Sequence, residues 1–273
     1  MSTLSSLSLA VVGHLEWMSF LQVDQLPQAG RIAHAPCSLN DVGGAGAIVA
    51  VQMARVSGTR VKFFTALGRD AIGERSVQRL QELNVEAHVA WRDAPTRHGF
   101  SMVDGDGERA ITVVGERLQP QADDPLPWDQ LRACDGVFAS AADAQALVVA
   151  RQAKVLTATP RLRQATLQDA AIHLDALIGS GLDPDEQLCE PLGFPTPRVQ
   201  IATEGDNGGR LTPGGRYTAA HPPGPMIDSY GCGDSFAAGV TVGLAAGWTV
   251  QEAVALGADI GARCTTWQGP YPR

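Results

Sequence analysis

The sequence predicts an α/β fold with a mostly parallel central sheet, helices on both of its faces, and a small antiparallel β sheet projecting from one edge. Three observations carry that expectation. Short apolar runs of strand length alternate with helical patterns, the signature of βαβ units. The 273 residues, 44% hydrophobic and 18% charged, form an ordinary globular composition, long enough to bury roughly three quarters of the unfolded surface. Two polar, turn-rich segments break the alternation and cannot join a parallel core through loops this short.

Taken in order, residues 9–12 read as the first buried strand and 45–56 as a helix. Residues 61–67 (VKFFTAL) form a stronger strand, followed by a helix over 72–83. Strands over 136–139, 155–157, 172–178 and 199–203 continue the series, with helices over 142–152 and 161–169 between them. The chain closes with helices near 233–246 and 250–264, broken by Gly247. The first interrupting segment, 22–37, turns at Pro27-Gln28-Ala29-Gly30 and continues as a strand through Ile32 and Ala35. In the second, 86–114, HVAW and HGFSMV read as strands, and Asp104-Gly105-Asp106-Gly107 turns HGFSMV into ERAITVV, a good hairpin signal. These segments, about 14–40 and 86–117, are read as a lid over a pocket within a single domain covering 1–273. No repeat or interdomain linker is visible.

Charge narrows the function classes. Against 29 Asp and Glu stand 21 Lys and Arg, a formal net charge of −8. That is the wrong sign for a general nucleic-acid binder, which needs a basic footprint. Only Lys62 and Lys154 are lysines, and neither stands in a G-x-x-x-x-G-K-[ST] context, which excludes a Walker A loop. No stretch approaches the ~18 uncharged apolar residues that span a bilayer, so no membrane partner is expected. The opening MSTLSSLSLAVVG lacks the basic start and apolar core of a signal peptide. Five scattered cysteines (Cys37, Cys134, Cys189, Cys232 and Cys264) form no C-x-x-C pair; a cytoplasmic location without a disulfide framework or structural zinc is expected.

The most informative stretch runs from Pro225 to Phe236, where Asp228-Ser229-Tyr230-Gly231-Cys232-Gly233-Asp234 opens a long helix of small residues. Gly231 and Gly233 allow backbone amides to converge, and the helix start adds about half a positive charge, an arrangement suited to an anion such as phosphate. Asp234, in the first helical turn, is placed to accept a proton from an attacking hydroxyl. The residues alone fit equally well a glycine turn with Asp234 as an ordinary capping acid.

This stretch resembles the C-terminal signature of the ribokinase-like (PfkB) carbohydrate kinases, approximately D-T-x-G-A-G-D-x-F, with Ser229 for Thr and Cys232 for Ala. Gly43-Gly44-Ala45-Gly46-Ala47, FFTALGRDAIGE and the Gly-Glu-Arg at 107–109 are similar to further family segments in the same order. The resemblance implies a three-layer ribokinase-like fold with a small antiparallel β lid. It implies an ATP-dependent transfer of phosphate to a hydroxyl of a small sugar or sugar-like alcohol. Asp234 would be the base, the amides of Gly231, Cys232 and Gly233 the anion hole, and Thr203, Gly205 and Gly208 the nucleotide loop. Glu16, Gly43, Gly44 and Asp234 would meet the substrate. Asp183 and Glu186 would stand for the family's altered N-x-x-E metal motif. ATP and Mg²⁺ are the implied cofactors, with a monovalent cation a further candidate and a homodimer through the lid a further partner.

Departures from the family pattern bear on the acceptor. Ala45 and Ile48 replace the Lys and Asn of G-G-K-G-A-N, and each lost polar contact costs a polyol about 1 kcal/mol or more, so ribose is disfavoured. His14, Trp17, Arg97, His98, Ser140 and Asp143 are further acceptor candidates, each with a structural role as the alternative. Two other readings are retained: a nucleoside kinase of the same fold, and a ligand-binding regulator without catalysis. A dinucleotide oxidoreductase built on Gly44-Ala45-Gly46-Ala47-Ile48-Val49 fails, because the pattern lacks its final glycine and does not follow an apolar strand.

Overall fold

The computed structural model describes residues 4–105, 109–188 and 190–272. The chain begins with β1 (Leu9–Val12), β2 (Glu16–Gln22), β3 (Ser38–Gly43), α1 (Ala45–Ser57), β4 (Val61–Gly68), α2 (Ala71–Glu82) and β5 (Val85–Arg92). It continues with β6 (His98–Val103), β7 (Arg109–Val114), β8 (Gly136–Ala139), α3 (Ala144–Ala150), β9 (Val155–Ala158) and α4 (Gln164–Ala170). It ends with β10 (Ala176–Ser180), β11 (Gln200–Thr203), β12 (Gly209–Thr212), β13 (Gly215–Tyr217), α5 (Cys232–Ala245) and α6 (Val250–Cys264).

Nine strands form one sheet in the order β13-β12-β11-β10-β9-β8-β1-β4-β5, parallel from β11 to β5 and antiparallel at the β12–β13 edge. Side-chain alternation sorts its residues into two cores. Leu9, Val11, Phe63 and Phe138 pack on the face carrying α1 and α5, whereas Ala10, Val12, Phe64, Val137 and Ala139 pack on the face carrying α3 and α4. A strand buried on both faces reads as a continuous apolar run, which is why LAVV and VKFFTAL were legible. Phe63 and Phe64 are fully buried, each worth roughly 1.5–3 kcal/mol.

The small residues of α5 serve close packing. A Cβ on Gly239 would stand 2.7 Å from the Gly257 Cα of α6, and one on Gly243 2.7 Å from the Ala253 Cα. Gln52 of α1 reaches across to donate to Ser235 Oγ at 3.1 Å and to the Pro270 carbonyl at 3.0 Å.

A second sheet has the order β3-β2-β6-β7. Its two outer pairs are antiparallel and its central seam, β2 against β6, is parallel. Two expectations for this region are corrected. HVAW lies in β5, which extends the large sheet in parallel register with β4, from Val61↔Val85 to Gly68↔Arg92. The intervening α2 is the dozen-residue crossover that such pairing needs; a strand pattern alone does not say which sheet a strand joins. The strand expected through Ile32 and Ala35 instead begins at Ser38. Residues 31–37 are exposed throughout, and pairing starts where Leu39, Asp41 and Val42 can be buried against β2. Of the expected turn at 104–107, residues 106 and 107 lie outside the described residues, as do Glu108 and Cys189.

The turn after β4 links the two sheets. Asp70 caps α2 by accepting from Gly73 N at 2.7 Å, and also accepts from the Thr96 amide at 2.7 Å and its hydroxyl at 2.8 Å. This fixes the chain two residues before β6.

Candidate active site

β1, β8, β9, β10 and β11 run in one direction, so their carboxyl ends open on one rim, where open α/β sheets bind ligands. The amino end of α5 is delivered to that rim by a turn held from within. The buried Asp228 carboxylate accepts from the Tyr230 and Gly269 amides, both at 2.9 Å. Tyr230 in turn accepts through its hydroxyl from the Gly44 amide at 3.2 Å, which ties this turn to the start of α1. Gly231, the residue capping α5, has φ 78°, a left-handed conformation that favours glycine.

A cavity of about 360 Å³ lies against this turn, lined by Asp234, His14, Glu16 and Gly44, by Arg161, Ser180 and Glu186, and by Arg109 and Ile111 of β7. Burial pushes the Asp234 carboxyl up to about 7; Glu186 pushes the same way and Arg161 opposes it. Burial also raises Glu16, against the opposing charge of Arg97, whose Nε stands 3.1 Å from Glu16 Oε1. His14 is driven down to about 3 by burial, then by Arg117 and Arg97, so its imidazole is neutral at pH 7. A second cavity of about 410 Å³ shares Ser180, Thr203, Ser229, Cys232 and Gly233 with the first. Gly205 and Gly208 line it, Tyr217 and Phe236 stack 5.8 Å apart along it, and Ala258, Gly261 and Ala262 of α6 give it a flat apolar wall. The two chambers therefore meet at the start of α5, where the positive end of the helix and Asp234 stand together.

The pfkB family carbohydrate kinase pattern matches residues 6–272. The chain belongs to the pfkB family of carbohydrate kinases. Fructoselysine 6-kinase of Escherichia coli (strain K12) is 33% identical over 103 residues, which cover 36% of this chain and 40% of that protein's length. Fructokinase of Salmonella typhimurium is 27% identical over an alignment covering 92% of this chain and 94% of that one. Arabidopsis thaliana ribokinase, solved with ribose and ATP, superposes with a TM-score of 0.73 at 19% identity, covering 96% of this chain and 94% of the other. The fold of this pfkB-family chain is thus ribokinase-like.

Of the residues singled out from the sequence, Asp234, Gly231, Cys232, Gly233, Glu16, Gly44, Glu186 and Thr203 line the first cavity, and Thr203, Gly205 and Gly208 the second. The Cys232 amide already donates to the Ser229 carbonyl at 3.3 Å. Gly43 is outside both linings; a Cβ there would meet the Tyr230 hydroxyl and Met18 Cγ at 2.6 Å, so its role is close packing. Asp143 caps α3 through Ala146 N at 2.9 Å and also accepts from Ala122 N. Trp17 lies under the Arg75 guanidinium at 4.8 Å.

The family's metal position is the clearest departure. All four carboxylate oxygens of Asp183 and Glu186 are engaged. Arg161 Nη2 meets Asp183 Oδ2 at 2.5 Å and Arg161 Nε meets Glu186 Oε1 at 2.6 Å. Asp183 Oδ1 accepts from Asp185 N, and Glu186 Oε2 from Ser180 N at 2.7 Å. Among the described residues no cluster of three acidic, His or Cys groups could hold a metal. These carboxylates do not fit direct coordination of an ion; the part expected of Asp183 and Glu186, contact through the waters an ion keeps, needs no free position on the metal.

Arg161 and Tyr217 are the site residues that sequence reasoning missed. Arg161 follows the carboxyl end of β9, so the strand-end rule that singled out Ser140 and Asp143 after β8 would have found it one strand further on.

Proposed function

We propose that this chain transfers the γ-phosphoryl group of ATP to a hydroxyl of a small sugar or sugar-like alcohol. The observation that carries the reading is Asp234, a carboxyl raised to about 7 at the junction of a polar and an apolar chamber. The acceptor sits in the polar chamber near Glu16, Gly44 and the neutral His14. Asp234 takes the hydroxyl proton, the acceptor oxygen attacks the γ-phosphorus, and the bond to the β–γ bridging oxygen breaks to release ADP. The amides of Gly231, Cys232 and Gly233 at the start of α5 receive the anionic phosphoryl oxygens, with the bond from Cys232 to Ser229 exchanged. Positioning and charge stabilisation carry most of such a transfer.

The nucleotide lies in the apolar chamber, its base against the wall of α6, its ribose or base along Gly205 and Gly208, and its phosphates reaching past Thr203 to the start of α5. Mg²⁺ would come with ATP and would offset phosphate charge without a carboxylate ligand from this site, and Arg161 adds a fixed positive charge near the transfer. A homodimer through the small sheet belongs to the same proposal. Its outward Phe100 and Val114 are exposed, and sedimentation of the wild type against a Phe100→Glu variant tests it.

ADP release across a panel of sugars and nucleosides, with Asp234→Asn beside the wild type, tests the main reading. Acceptor-dependent turnover lost in the variant supports it. Activity retained within a few-fold overturns Asp234 as the base. ATP binding without product across the panel selects the non-catalytic reading, which the closed Arg161–Asp183–Glu186 cluster favours.

A further inference from the structure

We propose that an arginine-lined cavity beside the acceptor chamber holds a carboxylate or phosphate carried by the acceptor molecule itself, so that the substrate class is an anionic sugar derivative. The proposal deepens the kinase reading and rests on it only for the identity of the chamber that presents the hydroxyl.

This cavity, about 840 Å³, is lined by Arg92, Arg97, Arg117 and Arg163, with Asp93 and Glu116 as its acids. Arg92 is neutralised by Asp124 through contacts of 2.6 and 2.7 Å, and Arg97 pairs with Glu16. Arg117 and Arg163 have no carboxylate within ion-pair distance among the described residues, and Arg117 donates to the backbone carbonyl of Arg161 at 3.1 Å. Arg117 is half-buried, and burial followed by the charges of Arg163 and Arg97 disfavours its charged form. Setting Arg117 beside Arg163 at such a cost, with no carboxylate paired to either among the described residues and only the more distant Glu16 favouring the charge on Arg117, is the electrostatic signature of a site completed by an anionic ligand.

The cavity and the acceptor chamber have no lining residue in common, but two short links join them. Glu16 lines the acceptor chamber while its partner Arg97 lines the arginine cavity; Arg161 lines the first while the adjacent Arg163 lines the second. Neither chamber shares a lining residue with it, but the Glu16–Arg97 pair ties it to the acceptor chamber, and among the described residues no ion pair ties it to the nucleotide chamber; the anion is therefore assigned to the acceptor and not to ATP. A molecule with its hydroxyl at Asp234 extends past the Glu16–Arg97 pair and places its charged end between Arg117 and Arg163. Planar guanidinium forks suit either a carboxylate or a phosphate.

The test compares matched neutral sugars, sugar acids and sugar phosphates (D-galactose with D-galacturonate, D-fructose with D-fructose 6-phosphate, and further pairs). It uses ADP release and calorimetric binding on the wild type, Arg117→Met and Arg163→Met. The wild type is expected to prefer anionic members by roughly tenfold to a hundredfold, the scale of one charge-assisted contact. Each variant should lose most of that ratio while its KM for ATP stays the same. Whether acids or phosphates lead the panel separates the two chemistries. Arg163, which is exposed, is the variant least able to disturb folding. A neutral preference in the wild type, or an anionic preference kept in both variants, overturns the subsite and leaves the kinase reading standing. Inorganic phosphate that stimulates turnover of a neutral sugar overturns it too, by assigning the cavity to a separate anion. Arginine-dependent binding of anionic sugars with no turnover of any acceptor upholds the subsite and overturns the kinase reading.

Discussion

Replacing Arg161 by Met removes one positive charge beside Asp234 and frees Glu186, whose carboxylate repels that of Asp234. Both changes disfavour the ionised form, so the Asp234 pKa rises. An opposite charge within a few ångströms shifts a carboxyl by 1–3 units. Arg161 is 46% exposed and already shared with two carboxylates, so screening puts its effect at the low end, about one unit or ~1.4 kcal/mol. The sign for activity follows from the base role. Asp234 works ionised, its folded pKa is raised to about 7, and activity is lost as pH falls through that value. In Arg161→Met the acid limb of log kcat/KM should therefore move from near 7 to about 8. The ionised fraction at pH 7 falls from about a half to about a tenth, so the pH effect puts kcat/KM at pH 7 about tenfold below the variant's own plateau near pH 9, against about twofold in the wild type, whatever the plateau itself loses with the charge. Coupled ADP release between pH 5.5 and 9 reads this directly. An acid limb that stays in place or moves downward would refute the electrostatic assignment.

Three further outcomes are expected. Asp234→Asn should lower kcat by about 10²–10⁴-fold with ATP binding retained by calorimetry; a loss confined to KM would remove its role as base. Gly46→Ala would put a methyl 2.6 Å from the His14 carbonyl oxygen and 3.0 Å from Phe63 Cε2. The overpacking costs about 1–3 kcal/mol, a fall of roughly 2–6 °C in Tm for a chain of this size, and an unchanged melting curve would contradict the packing described. Asp228→Asn turns an NH₂ toward one of two buried amide donors, at 2.9 Å from each in the wild type. A loss of roughly 1.5–3 kcal/mol by denaturant unfolding is expected, together with weaker ATP binding as the turn before α5 loosens.

The large sheet was legible because a strand buried on both faces is apolar along its length, and LAVV and GVFA satisfy that, as does VKFFTAL apart from Lys62 and Thr65, without reference to anything distant. The Gly-x-Gly-Asp turn was legible for a similar reason. Left-handed glycine at 231 and an acid in the first helical turn are local demands, written within a few residues. HVAW and the Ile32–Ala35 segment were misplaced because alternation specifies a strand and not its partner, and partner choice depended on a crossover helix and on which residues β2 could bury.

The amino-acid sequence by itself determined the α/β class, the Gly-x-Gly turn into the last pair of helices with Asp234 in the first helical turn, and the absence of a Walker loop. Each of these depends on residue type and short-range spacing. Only the tertiary structure decided that Asp183 and Glu186 are closed by Arg161, that Asp228 holds the turn before α5, and that Arg97, Arg117 and Arg163 gather beside the cavity at Glu16. Those are meetings between residues dozens of positions apart. Their energies depend on burial and on charges brought close by packing, quantities that the order of residues does not carry until the chain is folded.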